Sequence, residues 1–321
     1  MDFIGIKYAM KSKVFPLVLS IFAIVMLIIF PDRYVTESYE GIKIFAFNVL
    51  PSLLPFFFFS QLLTNIGVGQ KIGKLFSKPI RKLYKTNGIG GYILTMSALS
   101  GYPIGAKLIS ECCKSGMLGV SDAKSIIAYT STSGPMFVLG TVGCVMLSNK
   151  IYGIVLLICH YLSAILNGLL YRNKTPTNSL IPTTYAENIW GDSAKSAISS
   201  ISTCGVYVVI FYMLATMLRD AGVIGIISNL FSPIFGKASE GLVFGLIEMT
   251  GGCLTLSSVA SPLALPTICA VISFGGLSVT FQSITFLSEC GIKARCYLLR
   301  KFTQSVIAFS LTYLADFVFC L

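Results

Sequence analysis

Charged residues and histidines are scarce in this chain of 321 residues, and its cysteines lie scattered, mostly inside apolar segments. Only 12% of the residues are charged, whereas a soluble domain has about 25%. His160 is the single histidine and no C-x-x-C occurs among the ten cysteines, so a structural zinc site or a redox pair has no support. The sequence also lacks a P-loop and an evident nucleophile–base pair. We therefore expect a protein that is not an enzyme and that uses no metal or cofactor.

Apolar residues dominate the composition. They make up 55% of the chain, and the mean hydropathy is +0.81. This composition predicts an integral protein of the cytoplasmic membrane, with the lipid bilayer as a partner. The net charge of +11 does not indicate nucleic acid, because the basic residues cluster between apolar segments, where they orient a membrane protein.

The apolar segments predict an all-α polytopic membrane protein. A helix of about 20 residues crosses a hydrocarbon core, and seven segments approach or exceed that length: 14–30, 41–64, 123–147, 151–171, 197–218, 263–287 and 302–319. Residues 14–30 resemble a signal peptide, but no small-residue cleavage site follows, so we interpret them as a retained helix. Residues 69–85 alternate basic and apolar side chains and predict an amphipathic helix on the membrane surface, and 224–235 predict a second amphipathic helix.

An internal repeat organises the chain. The sequence at 65–79 returns in recognisable form at 220–233. Each copy is followed by an apolar stretch that breaks at polar glycine motifs: Ser100-Gly101-Tyr102-Pro103 and Ser133-Gly134-Pro135 in the first, Thr250-Gly251-Gly252 and Gly275-Gly276-Leu277-Ser278 in the second. We predict re-entrant hairpins at 90–114 and 240–260 and broken spans at 123–147 and 263–287. The predicted divisions are an N-terminal helix (1–40), a first repeat (41–172), a cytoplasmic connection (173–195) and a second repeat (196–321).

The distribution of basic residues predicts the orientation. With a cytoplasmic N-terminus and both hairpins re-entrant, the cytoplasmic segments hold eighteen Lys and Arg residues and the outer segments hold five. This bias agrees with the positive-inside rule. The first repeat and the connection then contain an odd number of crossings, so the second repeat is inverted relative to the first, as in many secondary transporters.

The four glycine breaks form the predicted binding site. Interrupted backbone inside a bilayer is tolerated where protein buries it or where it lines a wet cavity, and helix N-termini there favour anionic or polar groups. The alternative is that these small residues only allow helices to pack closely. The candidates at the breaks are Ser100, Gly101, Tyr102, Ser133, Gly134, Thr250, Gly251, Gly252, Gly275, Gly276 and Ser278.

Ionisable and amide residues near the breaks complete the candidate set. Glu248 is predicted either to contact substrate or titrate, or else to pair with a lysine. Lys107 could attract an anion, snorkel to the surface, or pair with Glu111 one turn later. Gln282 follows Ser278 by four residues and is expected to line the cavity. For His160 we favour a hydrogen-bonded helix residue over a proton relay.

Five motifs, taken together, resemble one known family. They are Pro51-Ser52-Leu53-Leu54-Pro55-Phe56, the stretch from Ser100 to Lys107, Thr132-Ser133-Gly134-Pro135, Glu248-Met249-Thr250-Gly251-Gly252 and Phe274-Gly275-Gly276-Leu277-Ser278-Val279. In this combination they resemble the sporulation integral membrane protein YlbJ family over about residues 41–321. The resemblance implies two nucleoside-recognition (gate) domains, with a core like that of concentrative nucleoside transporters. It also implies that dipicolinic acid is passed across the mother-cell-derived outer forespore membrane. This chain has Thr280-Phe281-Gln282 where the family commonly has His-Ala-Gln, so no role of that histidine is transferred.

Three functions remain open at this point. The first is a transporter for a small anionic or polar solute, most specifically dipicolinate. The second is a nucleoside transporter, and the third is a non-transporting scaffold of a sporulation complex. A coupling ion, proton or sodium, and an oligomer are compatible with each transporter function.

The predicted topology is testable by labelling single cysteines introduced into a cysteine-free variant. Residues 65–89 and 172–195 should react from the cytoplasm and residues 220–238 from the outside. Labelling of 220–238 only from the cytoplasm would contradict both the inverted repeat and the re-entrant hairpins.

Overall fold

The computed structural model describes residues 17–173 and 188–319, and the regular elements in these ranges are all helical. The helices of the first part are α1 (Leu17–Ile29), α2 (Pro31–Lys43), α3 (Leu50–Asn65), α4 (Val68–Tyr84), α5 (Ile89–Ser100), α6 (Ile104–Lys114), α7 (Val120–Thr130) and α8 (Lys150–Leu170). Those of the second part are α9 (Ile189–Asp220), α10 (Val223–Phe235), α11 (Ser239–Ile247), α12 (Met249–Ser257), α13 (Ala264–Phe274), α14 (Gly276–Leu287) and α15 (Ala294–Phe319). Two π-helical segments, Ile44–Val49 and Phe137–Met146, continue neighbouring helices.

Five helical segments in the described part of the chain are long and apolar enough to cross a membrane: Lys150–Leu170, Ile189–Asp220, Val223–Ile247, Ala264–Cys290 and Ala294–Phe319. A sixth is obtained if α1 and the helix that follows it, which meet at 114°, count as one span. Large apolar side chains project outward from several of these segments, for example Ile158, Ile226 and Phe317. This exposure is expected for surfaces that face lipid rather than water.

The second helix starts ten residues before the predicted position 41. Pro31 does interrupt the helix before it, as expected, but it also occupies the beginning of α2, where its missing N–H costs nothing. Tyr34 is buried against α9, and Arg33 lies 3.1 Å from Asp220 at the end of α9. Packing against a helix nearly two hundred residues away therefore turns a predicted connection into a helix.

Two later helices also begin earlier than predicted. Asn188 caps α9 by accepting a hydrogen bond from the N–H of Gly191 at 3.0 Å, so residues 189–195 are helical rather than part of the connection. The rest of that connection, 174–187, lies outside the described residues, as do residues 14–16 of the first predicted span. Helix α15 begins at Ala294 instead of 302, which places Lys301 within it.

The hairpins and broken spans occur where the glycine motifs predict them. Helices α5 and α6 are joined through Gly101-Tyr102-Pro103, and α11 and α12 meet at Glu248. Helix α7 is separated by 131–134 from the helical segment that contains Phe137–Met146, and α13 is separated from α14 at Gly275. The fold class is confirmed: an all-α membrane protein with two hairpins and two broken helices.

The two parts of the chain share their hydrophobic cores. One core joins Ile80, Ile93 and Tyr129 of the first part to Leu287 and Tyr297 of the second. Another core contains residues from both parts around the two hairpin tips, including Tyr102 and Met249. Burial of these side chains stabilises the two parts as one unit.

Gly252 allows the second hairpin to close. A Cβ atom on Gly252 would lie 2.2 Å from the Cα of Gly245, so the backbones of α12 and α11 touch. We expect Gly252→Ala to lower the free energy of unfolding by about 1–3 kcal/mol, because overpacking forces the two helices apart. Thermal unfolding of the detergent-purified protein measures this effect.

The matched control is Gly225→Ala in α10, where an added Cβ would have no atom within 4 Å apart from the neighbouring backbone of its own helix. There alanine should be neutral or slightly stabilising, because it is the better helix former. Equal midpoints for the two variants would contradict the packing role of Gly252.

Candidate substrate-binding site

A cavity lies where both hairpin tips and both helix breaks meet. Its solvent-accessible volume is about 40 Å³, enough for a few water molecules. The lining residues come from six parts of the fold: Val49, Leu53 and Phe57 near α3; Ser100, Gly101 and Tyr102; Ser133, Gly134 and Phe137; Cys204 and Val208 of α9; Glu248, Met249 and Thr250; and Ser278, Val279 and Gln282 of α14.

Nine of the fourteen residues predicted from the sequence line this cavity: Ser100, Gly101, Tyr102, Ser133, Gly134, Glu248, Thr250, Ser278 and Gln282. The other five, Lys107, Gly251, Gly252, Gly275 and Gly276, are not among its lining residues. Lys107 is half-buried in α6, and among the ion pairs of the described residues none joins it to Glu111. The glycines outside the lining set pack the hairpins and breaks together.

In the first part of the chain, the hairpin tip touches the helix break through two glycines. Gly101 has a φ of +75°, and a Cβ on it would lie 2.4 Å from the backbone nitrogen of Gly134. Only glycine combines this backbone conformation with so close an approach. The tip and the break are thereby held side by side at the cavity wall.

The second part repeats this arrangement with different residues. Gly276 has a φ of +67°, and a Cβ on it would lie 3.0–3.1 Å from the carbonyl oxygens of Gly245 and Ile247 and the nitrogen of Met249. The start of α14 therefore lies against the tip of the second hairpin. Each part thus supplies one hairpin tip packed on one helix break, as the repeat predicts.

Glu248 caps the helix that begins at the second hairpin tip. Its side chain is buried, and its two oxygens accept hydrogen bonds from the backbone N–H groups of Thr250, at 2.9 Å, and Gly251. A carboxylate at this position compensates the positive end of α12. The alternative of a lysine partner is wrong for the described residues, since no ion pair among them includes Glu248. The N-terminus of α12 is therefore already occupied by the carboxyl group of Glu248.

His160 connects the two helix breaks. Its Nε2 accepts a hydrogen bond from the N–H of Ser133 at 2.9 Å, and its Nδ1 lies 2.8 Å from Oγ of Ser273, the penultimate residue of α13. An Nε2 that accepts from a backbone N–H carries no proton, so the imidazole is neutral and Nδ1–H donates to Ser273. The structure agrees with a hydrogen-bonded helix residue, as favoured from the sequence.

Lys301 was missed by the sequence analysis, which placed it in a cytoplasmic segment. Its side chain is 1% exposed, and its Nζ donates to Oη of Tyr102 at 2.6 Å, the carbonyl oxygen of Ser131 at 2.8 Å and Oε1 of Gln304 at 3.2 Å. A helical stripe in the sequence could have revealed it, since the buried residues of α15 recur at positions 297, 301, 304, 308 and 312.

Gln282 presents a hydrogen-bond acceptor with no partner among the described residues. Its side chain is 3% exposed and lines the cavity, and its Oε1 makes no hydrogen bond there. A buried polar atom left unpaired costs about 1–3 kcal/mol. Water or a bound solute with a donor group would remove this cost.

Comparison with known proteins also indicates a membrane protein with a transporter-like fold. No family profile matches the chain. A curated relative is the sporulation integral membrane protein YlbJ of Bacillus subtilis (strain 168), which is 26% identical over 311 residues, covering 87% of this chain and 76% of that protein. The resemblance to the YlbJ family is confirmed by this relative.

Solved structures of the concentrative nucleoside transporter CNTnw resemble the whole fold. Its inward-facing substrate-bound state matches 95% of this chain and 86% of that chain, with a TM-score of 0.56 and 16% identity. A double variant in an outward-facing state matches 98% and 85%, with the same TM-score and 15% identity. At these identities the similarity establishes the fold alone. The chain is therefore an integral membrane protein that has the fold of a concentrative nucleoside transporter and is related in sequence to the YlbJ family of sporulation membrane proteins.

Proposed function

We propose that the protein is a transporter that passes a small polar solute through the cavity between the hairpin tips. One observation carries this proposal: four helix interruptions from both parts of the chain converge on one cavity. Inside a membrane such interruptions are tolerated where they line a wet cavity, and paired interruptions are typical of transporter binding sites. Binding and alternating exposure require no covalent chemistry, so no residue is assigned a catalytic role.

The cavity must widen for transport. Its volume of about 40 Å³ accepts water, whereas sites for small organic molecules usually measure about 300–1,000 Å³. The tight contacts of Gly101 with Gly134 and of Gly276 with the second tip mark the joints at which widening would occur. Separation at these joints would expose the polar lining to one side of the membrane.

We assign dipicolinic acid as the solute and the outer forespore membrane as the location because the family resemblance implies both, and the curated relative, a sporulation integral membrane protein, is consistent with them. The charges around the cavity support an anionic group at the first hairpin. Lys301 lies directly behind the cavity residue Tyr102, while Ser100 of the first hairpin tip and Ser133 of the first helix break also line the cavity. A buried cation and nearby donors favour a carboxylate.

An ionised Glu248 makes the opposite side of the cavity, at the second hairpin tip, unfavourable for a dianion. Like charges at short range in a poorly hydrated cavity repel strongly. Binding of dipicolinate is therefore expected to require a proton on Glu248. A proton taken up with the solute makes the proton the coupling ion.

A nucleoside is the second candidate. The observation that favours it is the polar set at the second tip, where Glu248, Thr250, Ser278 and Gln282 offer acceptors and donors suited to the hydroxyl groups of a neutral solute. An ionised Glu248 would favour such a solute over a dianion. The structurally similar CNTnw is described in a substrate-bound state, which supports a small-molecule site in this fold.

Uptake into proteoliposomes separates these candidates. With purified protein and an inwardly directed proton gradient, labelled dipicolinate should accumulate above protein-free vesicles, while uridine should not. Gly276→Leu should abolish uptake, because a large side chain on Gly276 blocks the joint between α14 and the second tip. Accumulation of uridine alone would select the nucleoside function. The scaffold function would be favoured if neither solute were taken up and if cells that carry Gly276→Leu still sporulated normally.

Glu248→Gln tests the proton requirement. Uptake of dipicolinate by the wild type should rise as the pH falls, because protonation removes the repulsive charge, whereas the variant should show little pH dependence. The amide oxygen still accepts one backbone N–H, so the cap should weaken by only about 0.5–1 kcal/mol and membrane levels should persist. The control is Glu240→Gln, an exposed carboxylate on the same hairpin that pairs with Arg219. An unchanged pH profile in Glu248→Gln would contradict the assignment.

A further inference from the structure

The ammonium group of Lys301 is surrounded by neutral oxygens. Its three contacts are the phenol oxygen of Tyr102, the carbonyl oxygen of Ser131 and the amide oxygen of Gln304, at 2.6, 2.8 and 3.2 Å. An ammonium group has three donors, so this set satisfies it completely. The ring of Tyr102 also lies 4.5 Å from Nζ, at a cation–π distance.

No carboxylate balances this charge in the described part of the chain, where none of the ion pairs includes Lys301. A buried, unpaired cation is costly and is usually retained for function rather than for stability. Gln304 is oriented toward the cation: its Oε1 faces Nζ, while its Nε2 remains without a partner among the described residues. The opposite orientation would place two donors face to face.

Two of the three oxygen atoms around Lys301 belong to the first hairpin tip and the first helix break. Tyr102 is in the first hairpin tip and Ser131 in the first helix break, whereas Lys301 and Gln304 lie on α15. Tyr102 in turn donates to the carbonyl oxygen of Ile272 in α13 at 3.2 Å. The cation therefore holds the first tip and the first break against the second part of the chain, directly behind the cavity.

We propose that these oxygens form a site for a monovalent cation that is permanently filled by the ammonium group of Lys301. Neutral carbonyl, hydroxyl and amide oxygens are the ligands that hard cations such as Na⁺ and K⁺ also take. The chain thus carries its own cation at the joint of the first hairpin. The transport cycle, which rests on the function proposed above, then needs no soluble Na⁺ or K⁺ at this joint.

Removal of the tethered cation tests the site without a transport assay. Lys301→Ala leaves the oxygens in place and opens space for a small cation. Its thermal midpoint in detergent should fall below that of the wild type, and NH₄Cl should raise it by about 2–4 °C or more, saturably, over choline chloride at equal ionic strength. KCl and NaCl should also raise this midpoint, each by an amount that depends on how well the ion fits among the three oxygens.

Lys301→Met is the matched control, because its apolar side chain fills the space and offers neither charge nor room. Its midpoint should be the same in ammonium, potassium, sodium and choline chloride. If Lys301→Ala shows no preference among these salts, or if Lys301→Met responds as strongly, the oxygens do not form a cation site.

The thermal midpoint of the wild type tests the proposal without requiring any variant to fold. Its midpoint should not change among the four salts, because the site is filled. A saturable stabilisation by NaCl or KCl would overturn the proposal. These outcomes are independent of uptake. Failure of the wild type to transport any solute would reject the proposed function. The response of Lys301→Ala to ammonium would still decide whether the oxygens form a cation site.

Discussion

The need to satisfy interrupted backbone inside a membrane determines the arrangement of this protein. Each break leaves N–H and C=O groups without helical partners, and hydrocarbon offers none. The chain meets this need with side chains: Glu248 accepts from the start of its own helix, α12, while from other helices His160 of α8 accepts from Ser133 and Lys301 of α15 donates to the carbonyl of Ser131. Because these partners must reach the breaks, the breaks themselves come together. The cavity is the space that remains between them.

The charges around that cavity follow from the same requirement. A carboxylate complements the positive end of a helix, and an ammonium group can donate to a free carbonyl. The second tip therefore carries a negative group and the joint of the first tip carries a positive one. Groups that complete the backbone thereby give the cavity two sides of opposite charge, and the proposed function pairs an acidic solute with a proton for this reason.

The sequence revealed the interruptions well because they are local. Glycine, proline and serine at a break act through their own backbone, so motifs such as Ser100-Gly101-Tyr102-Pro103 predict both hairpins and both broken helices. The partners carried by distant helices were harder to find, because their contacts cross the fold. Lys301 lies just before an apolar run and reads as an ordinary flanking charge, until α15 is seen to begin at Ala294. The helical start at Pro31 was missed for a similar reason, since it depends on packing against α9.

The bonds at the breaks also decide which parts of the protein can move together. Tyr102 bonds to α13, His160 ties Ser133 to Ser273, and Lys301 joins the first break to α15. These bonds cross the boundary between the repeats, so the boundary is a poor hinge. The cavity residues on the facing side are different in kind: Val49, Leu53, Phe57, Cys204 and Val208 are all weakly polar or apolar and belong to the region of α3 and α9. In the transporter proposed above, the easier displacement would therefore be a slide of the cross-linked body along that smooth wall, with the solute travelling as cargo inside the body rather than slipping through a gap between two rocking halves.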